Sequence, residues 1–195
     1  RNCVYHGDFN KLLVEQNKNA NSRKIYNDGV EDTRMADIEL ILRMFAFGYI
    51  YSQEEIQQKQ INLVKYLNQF MKRNDSFGIV SKEELLNNFN SIMEFFVNNL
   101  SVNIFRNGKK REDHISFSKK INPAIVDSVF AATMYIKGKN GLDFTGSIDF
   151  MERYERLILS DDYQDAISKR TTNIDKIQKR INLACEVLYE EHYEW

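Results

Sequence analysis

The sequence predicts an all-α fold, a bundle of about seven or eight helices, and three observations carry that expectation. Turn punctuation is scarce: 8 Gly and a single Pro in 195 residues argue against many short strands and tight hairpins. Apolar residues, 43% of the chain, recur mostly at i, i+3, i+4 spacing. Helix-start signatures also repeat, as Ser52 with Glu55, Ser81 with Glu84, Asn122 with Pro123 and Thr172 with Asp175. The chain reads as one domain over 1–195. A lead-in covers 1–33, central helices 34–138 and C-terminal helices 147–195.

In the lead-in, Asp8 is placed to cap a short helix through Phe9, Leu12 and Leu13, and the polar run 17–27 reads as an exposed loop. A second helix runs from about Arg34 to Tyr51. On a wheel of about 100° per residue, Ile38, Ile41, Phe45 and Tyr49 form one face. Leu40, Met44 and Phe47 form another, nearly opposite. A helix apolar on both sides belongs in the middle of a bundle, or between the bundle and another domain. Glu39 and Arg43 stand at i, i+4 with the acid first. They are expected to pair with each other or with neighbours, because a lone buried charge is costly. Arg34 and Asp37, at i, i+3, are read the same way. A structural ion pair is the favoured role for Arg43; the functional one is reach toward a phosphate or a partner domain.

The third helix starts at Ser52–Glu55 and carries Ile56, Leu63, Leu67 and Phe70. The fourth starts at Ser81–Glu84, and Leu85, Phe89, Ile92, Met93, Phe96 and Leu100 continue one stripe. Residues 107–120 break the pattern with Gly108, Lys109-Lys110-Arg111, Glu112 and Asp113, a loop with room for a short strand. Asn122 and Pro123 supply N-cap and first position of a helix that Gly138 should stop, and Gly138, Gly141 and Gly146 mark a flexible connection. Ser147 to Leu159 is amphipathic, Tyr163 to Ile167 forms a further turn or two, and the terminal helix carries Ile177, Ile181, Ala184 and Leu188.

Lys+Arg 27 against Asp+Glu 28 leaves a net charge of -1, which excludes a wholly basic nucleic-acid coat while leaving room for a local patch. Cys3 and Cys185 make neither a disulfide scaffold nor a zinc knuckle and point to a reducing, cytoplasmic setting. The longest apolar stretch, Leu40 to Tyr51, is too short to span a bilayer and is broken by Arg43, so no membrane partner is expected. His6, His114 and His192 lack ligand spacing, Asp161-Asp162 reads as a cap and dipole partner, and no phosphate loop, dinucleotide motif or nucleophile elbow occurs. No catalytic residue, metal or cofactor is therefore expected.

One basic cluster remains. Lys169, Arg170, Lys176, Lys179 and Arg180 lie close together, opposed in their segment only by Asp175. Lys176, Lys179 and Arg180, at i, i+3, i+4, share a helical face set apart from much of the apolar stripe. Thr171, Thr172 and Asn173 precede them with hydroxyls, an amide and helix N-terminal N–H groups, a seat suited to phosphate. These five are candidate contacts to duplex DNA, with a merely solvated face as the plain alternative.

The order of the motifs resembles a bacterial family. Arg1-Asn2-Cys3-Val4-Tyr5-His6-Gly7-Asp8-Phe9-Asn10 is similar to its "R-N-x-hydrophobic-Y-x-G-x-F-N" segment. The most specific match is Arg34-Met35-Ala36-Asp37-Ile38-Glu39-Leu40-Ile41-Leu42-Arg43-Met44-Phe45-Ala46-Phe47, which resembles "R-M-x-D-x-E-x-x-L-R-F-x-A-F". Tyr66-Leu67-Asn68-Gln69-Phe70-Met71, Ile121-Asn122-Pro123-Ala124 with Val129-Phe130, and Thr171-Thr172-Asn173 with Lys179-Arg180-Ile181 look like its later blocks. The family is known from the GmrSD-type modification-dependent restriction nucleases. The resemblance implies an N-terminal ParB/sulfiredoxin-like domain with an Asp-Gly-Gln-Gln-Arg motif, tied to nucleotide hydrolysis and DNA cleavage in anti-phage defence. That motif is not in these residues, nor is the His-Asn-His-type extension of some members. The chain thus looks like the helical C-terminal part of a longer protein, with no catalytic residue to carry over. The expected role is a non-catalytic helical domain that supports the ParB-like domain and touches DNA phosphates. The alternative is a protein-interaction or dimerisation module with no nucleic-acid role, which leaves a homo-oligomer open.

Overall fold

Helical spacing dictates nearly all of the observed architecture. The computed structural model describes residues 7–26, 36–50, 59–77, 80–100, 103–140 and 150–195. Among these, nine helices and one β-hairpin occur: α1 (Asp8–Asn17), α2 (Ala20–Tyr26), α3 (Ala36–Gly48), α4 (Leu63–Arg73), α5 (Lys82–Leu100), β1 (Arg106–Lys110), β2 (Ile115–Ile121), α6 (Pro123–Asn140), α7 (Phe150–Leu159), α8 (Asp161–Ser168) and α9 (Ile174–Tyr189). The Ser52–Glu55 capping box, Arg34, Cys3, His6, Gly141 and Gly146 lie outside the described residues. No helix among those described is long and apolar enough to cross a membrane.

Several starts follow the side-chain chemistry. The Ser81 hydroxyl accepts from the Glu84 amide at 3.1 Å, the first half of a capping box. Asn122 Oδ1 accepts from the Ala124 amide at 2.9 Å, and Pro123 opens α6. Other boundaries differ from the sequence reading. Gly7, not Asp8, is the N-cap of α1, and Asp8 instead pairs with Lys11 within the first turn. Helix α4 begins only at Leu63, with Asn62 accepting from the Lys65 amide at 3.1 Å, because residue 61 is already committed to a bond with Thr172. Gly138 does not stop α6, which continues to Asn140: a glycine weakens a helix by about 1 kcal/mol, and that is too little against the buried run before it.

Two segments read as loops are regular. Within 17–27, α2 forms because Asn19 caps it, accepting from the Asn21 amide at 2.9 Å, while Ser22, Ile25 and Tyr26 are buried. Within 107–120, β1 and β2 make an antiparallel hairpin pairing Gly108 with Phe117 and Lys110 with Ile115. Phe117 stacks on Tyr154 of α7 at 6.3 Å, so tertiary packing holds a strand pair whose outer face is charged. Gly108 is required here by proximity, since a Cβ would lie 2.8 Å from Ile158.

The core centres on α3 and α6. Ile41 to Ile50 is buried without a break, and so is Ala124 to Met134. Of the two settings anticipated for α3, it occupies the middle of the bundle, packed between α1, α4 and α6. The other face of α6 meets α9, and α7 and α8 close around α9. A chain of aromatic contacts crosses this core. It runs from Phe9 to Phe45 (5.8 Å), Phe89 (5.1 Å) and Phe130 (6.0 Å), then through Phe96 to Phe105 and Phe150. Phe96 thereby joins α5, α6, α7 and the start of the hairpin, and its side chain is fully buried. We expect Phe96→Ala to cost about 3–5 kcal/mol in urea or guanidinium unfolding. A loss under about 1 kcal/mol would mean that the rings around it collapse to fill the space.

Candidate functional site

Three buried charges meet where the three central helices meet. Asp127, in the second turn of α6, is fully buried, and it takes two guanidinium groups. Arg43 of α3 donates to it through Nε (2.9 Å to Oδ1) and Nη2 (2.6 Å to Oδ2), the bidentate geometry that suits a carboxylate. Arg180 of α9 donates through Nη2 at 3.0 Å to the same Oδ2, and through Nη1 at 2.7 Å to the Thr171 carbonyl. Two cations on one anion leave the cluster one positive charge in excess.

The local sequence explains each position. Arg43 stands one turn before Phe47, and its guanidinium lies 5.7 Å from that ring centre. Asp127 sits one turn after Pro123 and Ala124, so all three share a wall. Arg180 lies between Ile177 and Ile181 on the buried stripe of α9. Burial pulls the Arg180 guanidinium below the usual arginine range, and the Asp127 carboxylate opposes that pull. Beside it the Tyr163 hydroxyl meets the Ser128 hydroxyl at 2.6 Å, and burial pushes the Tyr163 phenol up.

Over Arg43 and Asp127 opens a cavity of about 210 Å³, walled by Phe47, Ile61, Ala124, Thr171, Thr172 and Ile177 among others. One rim is pinned by the chain itself. Residues 59–61 pair with 172–174 through Ile61 N to Thr172 O (2.9 Å), Ile174 N to Lys59 O (3.1 Å) and Gln60 Nε2 to the Thr172 hydroxyl (3.1 Å). Arg170 adopts a left-handed φ of 49°, and its carbonyl accepts from Asn173 at 2.9 Å, which closes a tight turn ahead of α9.

The nine residues singled out from sequence divide accordingly. Arg43 pairs with Asp127 rather than with Glu39. Asp37 pairs with Arg23 at 2.9 Å, an alternative to Arg34, which lies outside the described residues. Glu39 is half-buried on α3. Arg180 does not share an open face with Lys176 and Lys179: one further position around the helix turns it into the core, where Asp127 receives it. Lys176 and Lys179 bind Asp165 and Asp162 of α8, the latter at 2.5 Å. Lys169 and Arg170 are exposed and form no ion pair among the described residues. No group of His, Cys, Asp and Glu among those residues could hold a metal ion, the Glu112–His114 segment included. Sequence reasoning passed over Asp127. Its signal was a lone carboxylate inside the apolar run 124–134, where burial demands a cationic partner.

No family model, curated protein or solved structure matches the chain.

Asp127→Ala strands two buried guanidiniums, so we expect a loss of about 3–5 kcal/mol in chemical unfolding. Lys179→Ala, which breaks an exposed pair screened by water, should leave the midpoint in place. Equal effects from the two variants would contradict the ranking.

Proposed function

We propose that the chain is a helical, non-catalytic domain of a DNA-targeting protein of the restriction or anti-phage type, supporting a ParB-like nuclease/NTPase domain and touching DNA phosphates. One observation carries this reading. Segments that bear the family resemblance, far apart in sequence, converge on the Arg43–Asp127–Arg180 cluster. Arg43 comes from the second block, Asn122-Pro123-Ala124 from the fourth, and Thr171, Thr172 and Arg180 from the last. Three of the five blocks meet at this one polar place, while Phe9 of the first and Tyr66, Leu67 and Phe70 of the third pack in the apolar core.

The phosphate contacts are assigned to a smaller surface than composition suggests. With Lys176 and Lys179 paired to α8 and Arg180 inside, the members of this five-residue cluster left open to a polyanion are Lys169 and Arg170, in the turn beside the cavity. For the alternative, an interaction module, the large apolar residues exposed among those described are Val64 and Trp195, which belong to different parts of the chain and make no broad face.

Binding of duplex DNA by the chain is expected to be weak and to fall steeply with salt. Lys169→Glu with Arg170→Glu should weaken it across all sequences and flatten the logarithmic salt slope by about 0.9 for each phosphate left unneutralised. Lys176→Ala with Lys179→Ala should change it little. Gel-shift or anisotropy titrations from low to physiological salt read both. Binding indifferent to the double reversal and to salt would remove the phosphate-contact part of the proposal.

A further inference from the structure

The cavity over Arg43 has the character of an anion site in its own right. Arg43 and Asp127 are the charged residues on its wall, and Asp127 is already saturated by two guanidiniums. The positive excess of the cluster is therefore turned toward the cavity by Arg43, whose side chain is only 10% exposed. Its Nε and Nη2 are engaged, whereas Nη1 has no hydrogen-bond partner among the described residues. Thr171 and Thr172 also line the cavity; the Thr172 hydroxyl accepts from Gln60 Nε2 at 3.1 Å and keeps its own O–H to donate, and neither backbone amide of the pair is hydrogen-bonded within those residues. Pro123 and Ala124, in the first turn of the 18-residue α6, also line the cavity and add the positive end of a helix dipole. Asn122 uses the Ala124 amide, so α6 contributes field rather than donors.

Size narrows the ligand. At about 210 Å³ the space equals about seven waters at ~30 Å³ each. That is below the roughly 300 Å³ at which pockets begin to enclose a drug-sized molecule. It admits a tetrahedral oxyanion and its first attached atoms; volume alone does not exclude a planar base, since a cavity of about 150 Å³ already takes benzene, and the donor set makes the distinction. A planar guanidinium with one free N–H edge, hydroxyls and unpaired amides is the donor set that phosphoryl oxygens require.

We propose that this cavity binds a single phosphoryl group, held by Arg43 Nη1 and the Thr171–Thr172 turn, with the rest of the ligand outside. The inference stands on the cavity alone and not on the family resemblance. Loss of DNA binding through Lys169 and Arg170 and loss of phosphate binding through the cavity are thus separable results.

The test uses the whole chain with inorganic phosphate, compared with chloride at matched ionic strength, by thermal unfolding and titration calorimetry. Phosphate should raise the unfolding midpoint saturably and shift the Thr171 and Thr172 amide resonances. Thr171→Glu, which sets a carboxylate in the cavity while keeping the backbone bond to Arg180, should abolish the saturable response. Arg43→Lys should weaken phosphate at least tenfold. If that variant fails to fold, Thr171→Glu decides alone. Phosphate no better than chloride, or a Thr171→Glu protein that responds like the parent, overturns the proposal. Deoxyadenosine 5′-monophosphate and covalently closed duplex DNA then compete against phosphate. Displacement by the first assigns the site to phosphate ends, displacement by the second to backbone diesters, and displacement by neither overturns the phosphoryl assignment.

Discussion

Asp127 is the point at which α3, α6 and α9 are registered against one another. Apolar packing alone leaves a helix bundle free to slide or rotate by small steps at modest cost, because one branched side chain can often stand in for the next. A buried carboxylate does not tolerate that freedom. Shifting α3 or α9 by one residue rotates its arginine by about 100° and leaves a charge unpaired in a medium where pairing is obligatory. The cluster need not raise stability above that of a well-packed apolar trio of the same volume, since its desolvation cost is large. What it does is penalise every misregistered packing of the three helices, and it places the 171–173 turn through the Arg180 bond to the Thr171 carbonyl.

The parts of the fold legible in the sequence were those with local causes. Ser81 and Asn122 announce their helices because a cap is satisfied within three residues, and the stripe of α5 is visible because burial follows the helical period. At the hairpin only room for a short strand was legible, and α2 not at all, for the opposite reason. Arg106 donates to the Ile25 carbonyl at 3.0 Å and to the Lys119 carbonyl, joining the end of α2 to β2 across a long stretch of chain. Nothing in the composition of 17–27 or 107–120 signals such a bond. A helix continuous up to Phe70 from Ser52, itself outside the described residues, is interrupted for a similar reason, since the bridge from 59–61 to 172–174 competes with helix for those residues.

The site was half legible. Arg43 stood out because a charge inside an apolar helix needs an explanation. Arg180 was misread because two lysines at helical spacing drew it into a presumed basic face, although Ile177 and Ile181 flank it on the buried side. A period of 3.6 residues separates those faces by a single position, and only the partner decides between them. Asp127, in the midst of apolar neighbours, was the partner to search for: a lone aspartate in the apolar run of α6 and a lone arginine in that of α3 each called for an opposite charge.

Burial and pairing redistribute the charge that composition reports. The cations between Lys169 and Arg180 look like a continuous basic stripe, yet Asp162 and Asp165 cancel two of them and Asp127 draws one into the core. What survives as positive potential is concentrated around one turn: Lys169 and Arg170 on its outer side, the excess charge of the arginine pair beneath the cavity that Thr171 lines. In water the outer cations are screened within about 8 Å at physiological salt, whereas the buried excess is screened far less. The outer pair is thus suited to drawing in a polyanion loosely and without sequence preference. The cavity is suited to holding one oxyanion at short range with fixed geometry, a division of labour set by the depth of each charge.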